Sequence, residues 1–213
     1  MTTTAIPSAP AGIVYLLDDE AAVLDAIAFM LTSRGLDVRP HATGPALLAT
    51  VDANLSTSAR SLRGVFLLDI RMEPMSGLRV HEELMARRLR NPVLFLSGHG
   101  DIPMAVDALK NGAFDFLEKP YSDNALAVRV EQALAVDRAM HQHDARSAER
   151  EARLQSLTER EREVMQRVAA GKLNTVIADE LHVSVRTVEV HRARVYAKLG
   201  VRSAAEVATL LAG

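Results

Sequence analysis

Val65-Phe66-Leu67-Leu68-Asp69-Ile70-Arg71-Met72 is an apolar run that ends in a single carboxylate. Four consecutive apolar residues, β-branched and aromatic among them, suit a strand buried on both faces of a parallel sheet. Asp69 then lies at the carboxyl end of that strand. In open α/β sheets this edge collects the strand-to-helix loops, and ligands bind there. A second such run, Gly12-Ile13-Val14-Tyr15-Leu16-Leu17, ends in Asp18-Asp19-Glu20. Two strands delivering carboxylates to one edge make a like-charge cluster, costly unless a cation or a proton occupies it. We read these residues as a Mg²⁺-assisted phosphorylation site with Asp69 as the acceptor. Taken alone, Asp18-Asp19-Glu20 reads equally well as the acidic start of a helix.

Outward from this stretch, strand-like runs near 12–17, 36–41, 64–69, 92–96 and 114–117 alternate with helical runs. The first helix places Val23, Ile27, Met30 and Leu31 on one stripe and ends at Gly35. Further helices near 43–51, 77–89, 102–111 and 122–135 complete five βα units. The pattern predicts an α/β fold, a doubly wound five-stranded parallel sheet, over residues 11–135. Met1 to Pro10 reads as a disordered tail, and the Ser/Thr-rich stretch Asn54 to Arg63 as an extended surface loop.

From 136 to 156 the chain is polar, free of Gly and Pro, and without an apolar stripe, which predicts a helical linker or a continuation of the fifth helix. Leu157-Thr158-Glu159-Arg160-Glu161 then carries a capping box, Thr158 with Glu161. Helices to Gly171, from Asn174 to Leu181, from Ser184 to Leu199 and from about Ser203 to Leu210 make residues 157–213 a small all-α domain.

Composition agrees with two domains in 213 residues. No apolar run approaches the ~18–20 residues of a membrane span, and Met1 to Pro10 lacks the features of a secretion signal. The expected location is the cytoplasm. Absence of Cys excludes disulfides and thiolate metal sites, and the seven His show no ligand spacing. Residues 1–136 carry 12 Lys and Arg against 16 Asp and Glu, whereas residues 137–213 carry 13 against 11. An acidic front and a basic back fit a signalling domain joined to a nucleic-acid binder.

These residues place the chain beside two known families. Asp18-Asp19 after the first strand, Asp69 after the third, Ser97 after the fourth and Lys119-Pro120 after the fifth resemble the site of response-regulator receiver domains. Leu157-Thr158-Glu159-Arg160-Glu161-Arg162-Glu163-Val164, Ile177-Ala178 and Arg186-Thr187-Val188-Glu189-Val190-His191-Arg192 resemble the LuxR-type helix-turn-helix. With Leu96-Ser97-Gly98-His99-Gly100-Asp101, the whole looks most like the FixJ/NarL group of two-component regulators.

The resemblance implies that Asp19 and Asp69 ligate Mg²⁺ directly, that Asp18 acts largely through water, and that Arg71 contributes its backbone carbonyl. It implies that Lys119 meets the phosphoryl group, that Ser97 offers its hydroxyl to a phosphoryl oxygen, and that Phe116 repacks with that hydroxyl. It also implies a cis peptide before Pro120, a histidine kinase as phosphodonor, RNA polymerase as a partner, and homodimerisation on phosphorylation. The family usually shows Met-Pro-Gly-Met-Ser-Gly after the acceptor strand. Here the stretch is Met72-Glu73-Pro74-Met75-Ser76-Gly77, which lacks a glycine and adds a negative charge.

In the Ser184 to Leu199 helix, Val188, Val195 and Leu199 share one side. Arg186, Glu189, Val190, Ala193 and Arg194 share the other, suited to the major groove. Glu189 suits cytosine N4, and Val190 and Ala193 suit thymine methyls. Arg186, Arg192, Arg194 and Lys198 are assigned to phosphates, with Lys172, Asn174 and Thr175 at the preceding helix start. Thr187 and His191 complete the expected contact set, and a dimer reads paired half-sites. The last helix aligns Ala204, Val207, Ala208 and Leu211, either to pair two such domains or to complete the four-helix core.

Two other readings remain at this point. One is a phosphorylation-independent DNA-binding regulator whose receiver is a dimerisation scaffold. The other is an aspartyl phosphatase, which needs an Asp-x-Asp arrangement after the first strand that Asp18-Asp19-Glu20 lacks.

Overall fold

The computed structural model describes residues 12–57, 62–98 and 102–212. The tail at Met1 to Pro10 therefore lies outside the described residues. The chain divides into two compact units between His141 and Gln142.

The first unit alternates β1 (Ile13–Leu17), α1 (Ala21–Ser33), β2 (Asp37–His41), α2 (Gly44–Thr57), β3 (Val65–Asp69), α3 (Gly77–Ala86), β4 (Val93–Ser97), α4 (Ile102–Lys110) and β5 (Asp115–Glu118), then enters α5 (Asp123–Gln155). The strands form one parallel sheet in the order β2-β1-β3-β4-β5. Every residue of β3 and β4 is buried, as expected of central strands covered on both faces. Alternate side chains feed two cores. Tyr15, Leu17, Phe66, Leu68 and Phe95 pack towards α2, α3 and α4. Val14, Leu16, Leu67, Leu94 and Leu96 pack towards α1 and α5. Reversal of the strand order at β1 and β3 puts helices on both faces, the doubly wound arrangement the alternation implied.

Two local readings need correction. On α1 the buried residues are Leu24, Ile27 and Leu31, while Val23 and Met30 are half-buried; Leu24, absent from the expected stripe, completes the i, i+3, i+7 face. The helix α2 runs on to Thr57, so Asn54 to Thr57 is not loop. Asn54 Nδ2 donates to the Thr50 carbonyl at 2.8 Å and Ser56 Oγ to that of Ala53 at 2.8 Å, while Leu55 packs on the core. The packing of Leu55 on the core outweighs the loop-like composition and these local side-chain bonds. Residues 58–61 of that expected loop lie outside the described residues.

The linker stretch is part of α5, which continues through Gln155. Its early turns belong to the first unit. Buried Asp137 accepts from the Gly64 amide at 3.2 Å and from Asn91 Nδ2 at 3.3 Å, and pairs with His141 Nε2 at 3.2 Å. These contacts carry the first unit beyond residue 135, where the apolar stripe stops.

The second unit contains α6 (Glu159–Ala169), α7 (Asn174–Leu181), α8 (Val185–Leu199) and α9 (Ala204–Ala212), closed by the last turns of α5. Its core joins Leu157, Val164, Ile177, Val188, Val195, Leu199 and Val207. Arg153 Nη1 donates to the Leu199 carbonyl at 3.0 Å and Arg150 Nη2 to that of Leu211 at 3.3 Å. The capping box forms: Glu161 N–H donates to Thr158 Oγ1 at 3.3 Å, and Thr158 N–H to Glu161 Oε2 at 2.9 Å.

The turn between α7 and α8 lacks glycine, and His182 takes the left-handed conformation there, φ 53 and ψ 48. Replacing His182 with Gly removes the Cβ penalty, so we expect His182→Gly to stabilise this unit by about 1 kcal/mol. A lower urea midpoint for the variant would contradict this. Lys198 Nζ lies 2.6 Å from Glu161 Oε2, and that ammonium with the Thr158 amide holds the Glu161 carboxyl down at about 2, below its ordinary 4.5. A carboxylate depressed on folding stabilises fully above its unfolded pKa. Stability of this unit should therefore fall as pH drops from 4.5 towards 2. Acid titration of Glu161→Gln should show a shallower loss over that window.

Candidate acceptor site and candidate nucleic-acid interface

Register assembles the first site. Leu17 pairs with Leu68 across β1 and β3, so the next residues, Asp18 and Asp69, emerge side by side at the carboxyl edge. Both are buried. β4 pairs with β5 so that Ser97 faces Glu118, and Lys119 follows at the same edge, its amide donating to the Ser97 carbonyl at 2.7 Å. Lys119 Nζ reaches between the two acids, 2.6 Å from Asp69 Oδ1 and 3.1 Å from Asp18 Oδ2.

The remaining oxygens are also held. The Glu20 amide donates to Asp18 Oδ1 at 2.9 Å and the Arg71 amide to Asp69 Oδ2 at 2.9 Å. Glu20 is the N-cap of α1 and makes no side-chain cap, so the helix-start reading of the acidic triplet does not describe what Asp18 does. Burial raises the Asp69 carboxyl, opposed by the hydrogen bond and charge of Lys119. For Lys119, burial pulls downward, but Asp69 and Asp18 together leave its ammonium raised. Lys119 is therefore a fixed positive charge at neutral pH.

The backbone after Asp69 is tightly constrained. A Cβ on Gly77 would lie 2.0 Å from the Asp69 carbonyl oxygen, so only glycine lets α3 start there. The sequence signal for this close approach is the glycine's place after Met75-Ser76. In the departing stretch Glu73 is exposed, and both Glu73-Pro74 and Lys119-Pro120 are cis. Ser97 is fully buried, and its Oγ has no hydrogen-bond partner among the described residues. Phe116 is half-buried against the Tyr15 and Phe66 core. Leu96 to Gly98 are described, and His99 to Asp101 lie outside the described residues.

Asp19 is exposed and is not drawn into the cluster. Among the described residues no three His, Asp or Glu side chains converge as a ready metal cage; the ammonium supplies the neutralising charge, and the acids turn to it. The donor chemistry nonetheless fits Mg²⁺. Two buried carboxylates sharing one ammonium leave net negative charge, and every available donor is a hard oxygen.

On the second unit, α8 divides as its periodicity implied. Val188, Val195 and Leu199 are fully buried, while Arg186, Glu189, Val190, Ala193 and Arg194 are exposed. Ser184 caps the helix, accepting from the Thr187 amide at 3.1 Å, and its Oγ lies 2.8 Å from Thr187 Oγ1, so half-buried Thr187 serves the cap. His191 is half-buried, its Nδ1 without a partner.

Lys198 corrects the expected phosphate set: its Nζ is held by Glu161 and by the Ser156 carbonyl at 3.0 Å. Lys172 pairs with Glu180. Thr175 is exposed and Asn174 half-buried at the start of α7, and Asn174 Oδ1 accepts from Arg192 Nη1 at 2.8 Å. Two exposed apolar residues passed over in the sequence, Leu173 and Val176, flank this start.

Comparison with known proteins matches residues 14–131 to the response regulator receiver domain and residues 155–211 to the bacterial regulatory proteins of the luxR family. The C4-dicarboxylate transport transcriptional regulatory protein DctR of Rhodobacter capsulatus is 43% identical, over 92% of this chain and 98% of its own. The transcriptional regulatory protein FixJ of Rhizobium meliloti is 41% identical, over 89% and 90%. The tetrathionate response regulatory protein TtrR of Salmonella typhimurium is 44% identical, over 91% and 89%. Among solved structures, response regulator StyR superposes with a TM-score of 0.82 at 34% identity, covering 94% of this chain and 98% of its own. Full-length FixJ from B. japonicum gives 0.58 at 36% identity, covering 94% and 96%.

Removing the shared cation should leave two buried acids unpaired. Lys119→Met is expected to lower the stability of the first unit by about 2–3 kcal/mol at neutral pH. Urea unfolding measures this, and an unchanged midpoint would count against the ion triad.

Proposed function

The chain belongs to the two-component response regulators that join a receiver domain to a LuxR-type DNA-binding domain, and from that premise we propose that Asp69 is its phosphoacceptor. The observation that carries the reading is the single ammonium of Lys119 set between buried Asp18 and Asp69. A carboxylate accepts a phosphoryl group only if the incoming oxygens meet positive charge, and phosphoryl transfer is chiefly positioning and electrostatics.

Asp69 Oδ1, now on Lys119, is the attacking oxygen, while the Arg71 amide fixes Oδ2. Transfer would form a P–O bond to Asp69 as the bond from phosphorus to the donor's histidine nitrogen breaks, that nitrogen keeping the electron pair; the new negative oxygens would lie at this edge, and Lys119 would shift its hydrogen bond onto one of them. Ser97, buried with a free hydroxyl, would donate to another, and half-buried Phe116 would repack as that hydroxyl moves. Asp18, Asp19, Asp69 and the Arg71 carbonyl would hold Mg²⁺, which supplies neutralising charge to the phosphoryl oxygens.

The donor would be a histidine kinase, and phosphorylation would promote homodimerisation in the cytoplasm. Among the described residues no helix is long and apolar enough to cross a membrane. A dimer would read paired half-sites, with Arg186, Arg192 and Arg194 on phosphates and Glu189, Val190 and Ala193 towards base edges, and would act on RNA polymerase. A scaffold-only receiver is not favoured, because it has no use for two acids buried against one lysine. The activity is regulatory and not enzymatic.

Asp69→Asn is expected to abolish phosphoryl uptake from a small phosphodonor with Mg²⁺; acid-labile label persisting on the variant would overturn the assignment. At the other end, Glu189→Ala should change base preference. Arg194→Ala should weaken all sequences alike and reduce the salt slope by about one. Selection from a random duplex pool together with salt titrations separates the two, and equal effects from both variants would refute the division of roles.

A further inference from the structure

Tyr196 plays no part in the reading above, yet it is one of two groups that immobilise an arginine of the proposed interface. Arg192 Nε donates to the Tyr196 phenol oxygen at 2.9 Å, and the guanidinium carbon lies 5.3 Å from the centre of the Tyr196 ring. Arg192 Nη1 donates to Asn174 Oδ1 at 2.8 Å. Nη2 donates to no group among the described residues. The guanidinium is thus held at Nε and at Nη1 from two helices, and Nη2, between them, stays open.

Its neighbours on α8 behave differently. Arg186 and Arg194 are exposed, whereas Arg192 is half-buried and Tyr196 packs on the domain core. Arg192 borders a recess of about 460 Å³ together with Gly171, Lys172, Leu173, Asn174 and Thr175. With its Oδ1 accepting from Arg192, Asn174 keeps its amide hydrogens for another acceptor. A free arginine loses much rotamer freedom when it docks on a phosphate, and one held beforehand loses less.

We propose that Tyr196 is a positioning residue for DNA-backbone binding: with Asn174 it pre-orders the Arg192 guanidinium and leaves Nη2 to donate to a phosphate at the start of α7. The proposal rests on the reading of α8 as the DNA-contacting helix.

The test measures affinity for a random-sequence duplex over a salt series, using the full-length chain, for wild type, Tyr196→Phe, Arg192→Ala and the double variant. Thermal melting checks that each folds. Tyr196→Phe keeps the ring and the charge and loses only the oxygen, so we expect a roughly two- to ten-fold loss on every sequence with the salt slope kept. Arg192→Ala should reduce the slope by about one, and adding Tyr196→Phe to it should cost nothing more. An equal loss from Tyr196→Phe with and without Arg192 would assign it a merely structural role and overturn the proposal. So would an unchanged affinity for Tyr196→Phe, or an unchanged slope for Arg192→Ala. If the wild type shows no salt-dependent DNA binding, the reading of α8 falls as well, which distinguishes the two failures.

Discussion

Two carboxylates that must share one cation govern the first unit. Asp18 and Asp69 are neighbours because β1 and β3 are adjacent in the sheet and in matched register. Both are buried, so their repulsion is poorly screened and each needs a positive partner. Lys119 follows β5, two strands further along, and its ammonium offsets part of the charge of both acids. Glycine at position 77 is required by the same crowding, since α3 must begin against the Asp69 carbonyl.

The same edge explains how a local event can travel. Lys119 is tied through its side chain to the acids and through its amide to Ser97, so a new charge at Asp69 would disturb a contact that already touches β4. The Ser97 hydroxyl is buried without a partner among the described residues, a costly state that a phosphoryl oxygen would relieve. Phe116, on β5, is half-buried against the core and has no hydroxyl to signal at the surface, so its share in any change is packing.

In the second unit a different ion pair is structural. Glu161 and Lys198 join the start of α6 to the end of α8, and the capping box supplies the remaining bonds to Glu161. Use of Lys198 inside the fold leaves the exposed face of α8 to Arg186, Glu189, Val190, Ala193 and Arg194, which is the face periodicity selected. Arg192 stands between these roles, anchored to Asn174 and Tyr196 and open on one side.

Apolar periodicity and strand-end acids determined, from the residues alone, the α/β class, the five strands, the helical second unit and the capping box, because burial on two faces and amphipathic stripes leave direct traces in sequence. Asp18 and Asp69 were legible for the same reason, as acids at the ends of apolar strands, whereas Ser97 and Lys119 were legible only through the resemblance to receiver domains. Tertiary structure alone decided which groups share partners. That Lys119 bridges both acids, that Lys198 turns inward to Glu161, that Asp137 ties α5 to the Gly64 loop and that Asn174 holds Arg192 all depend on pairings between residues far apart in the chain. Helical periodicity places a lysine on a face, and only the packed neighbours determine whether its ammonium meets solvent, a phosphate or a buried carboxylate.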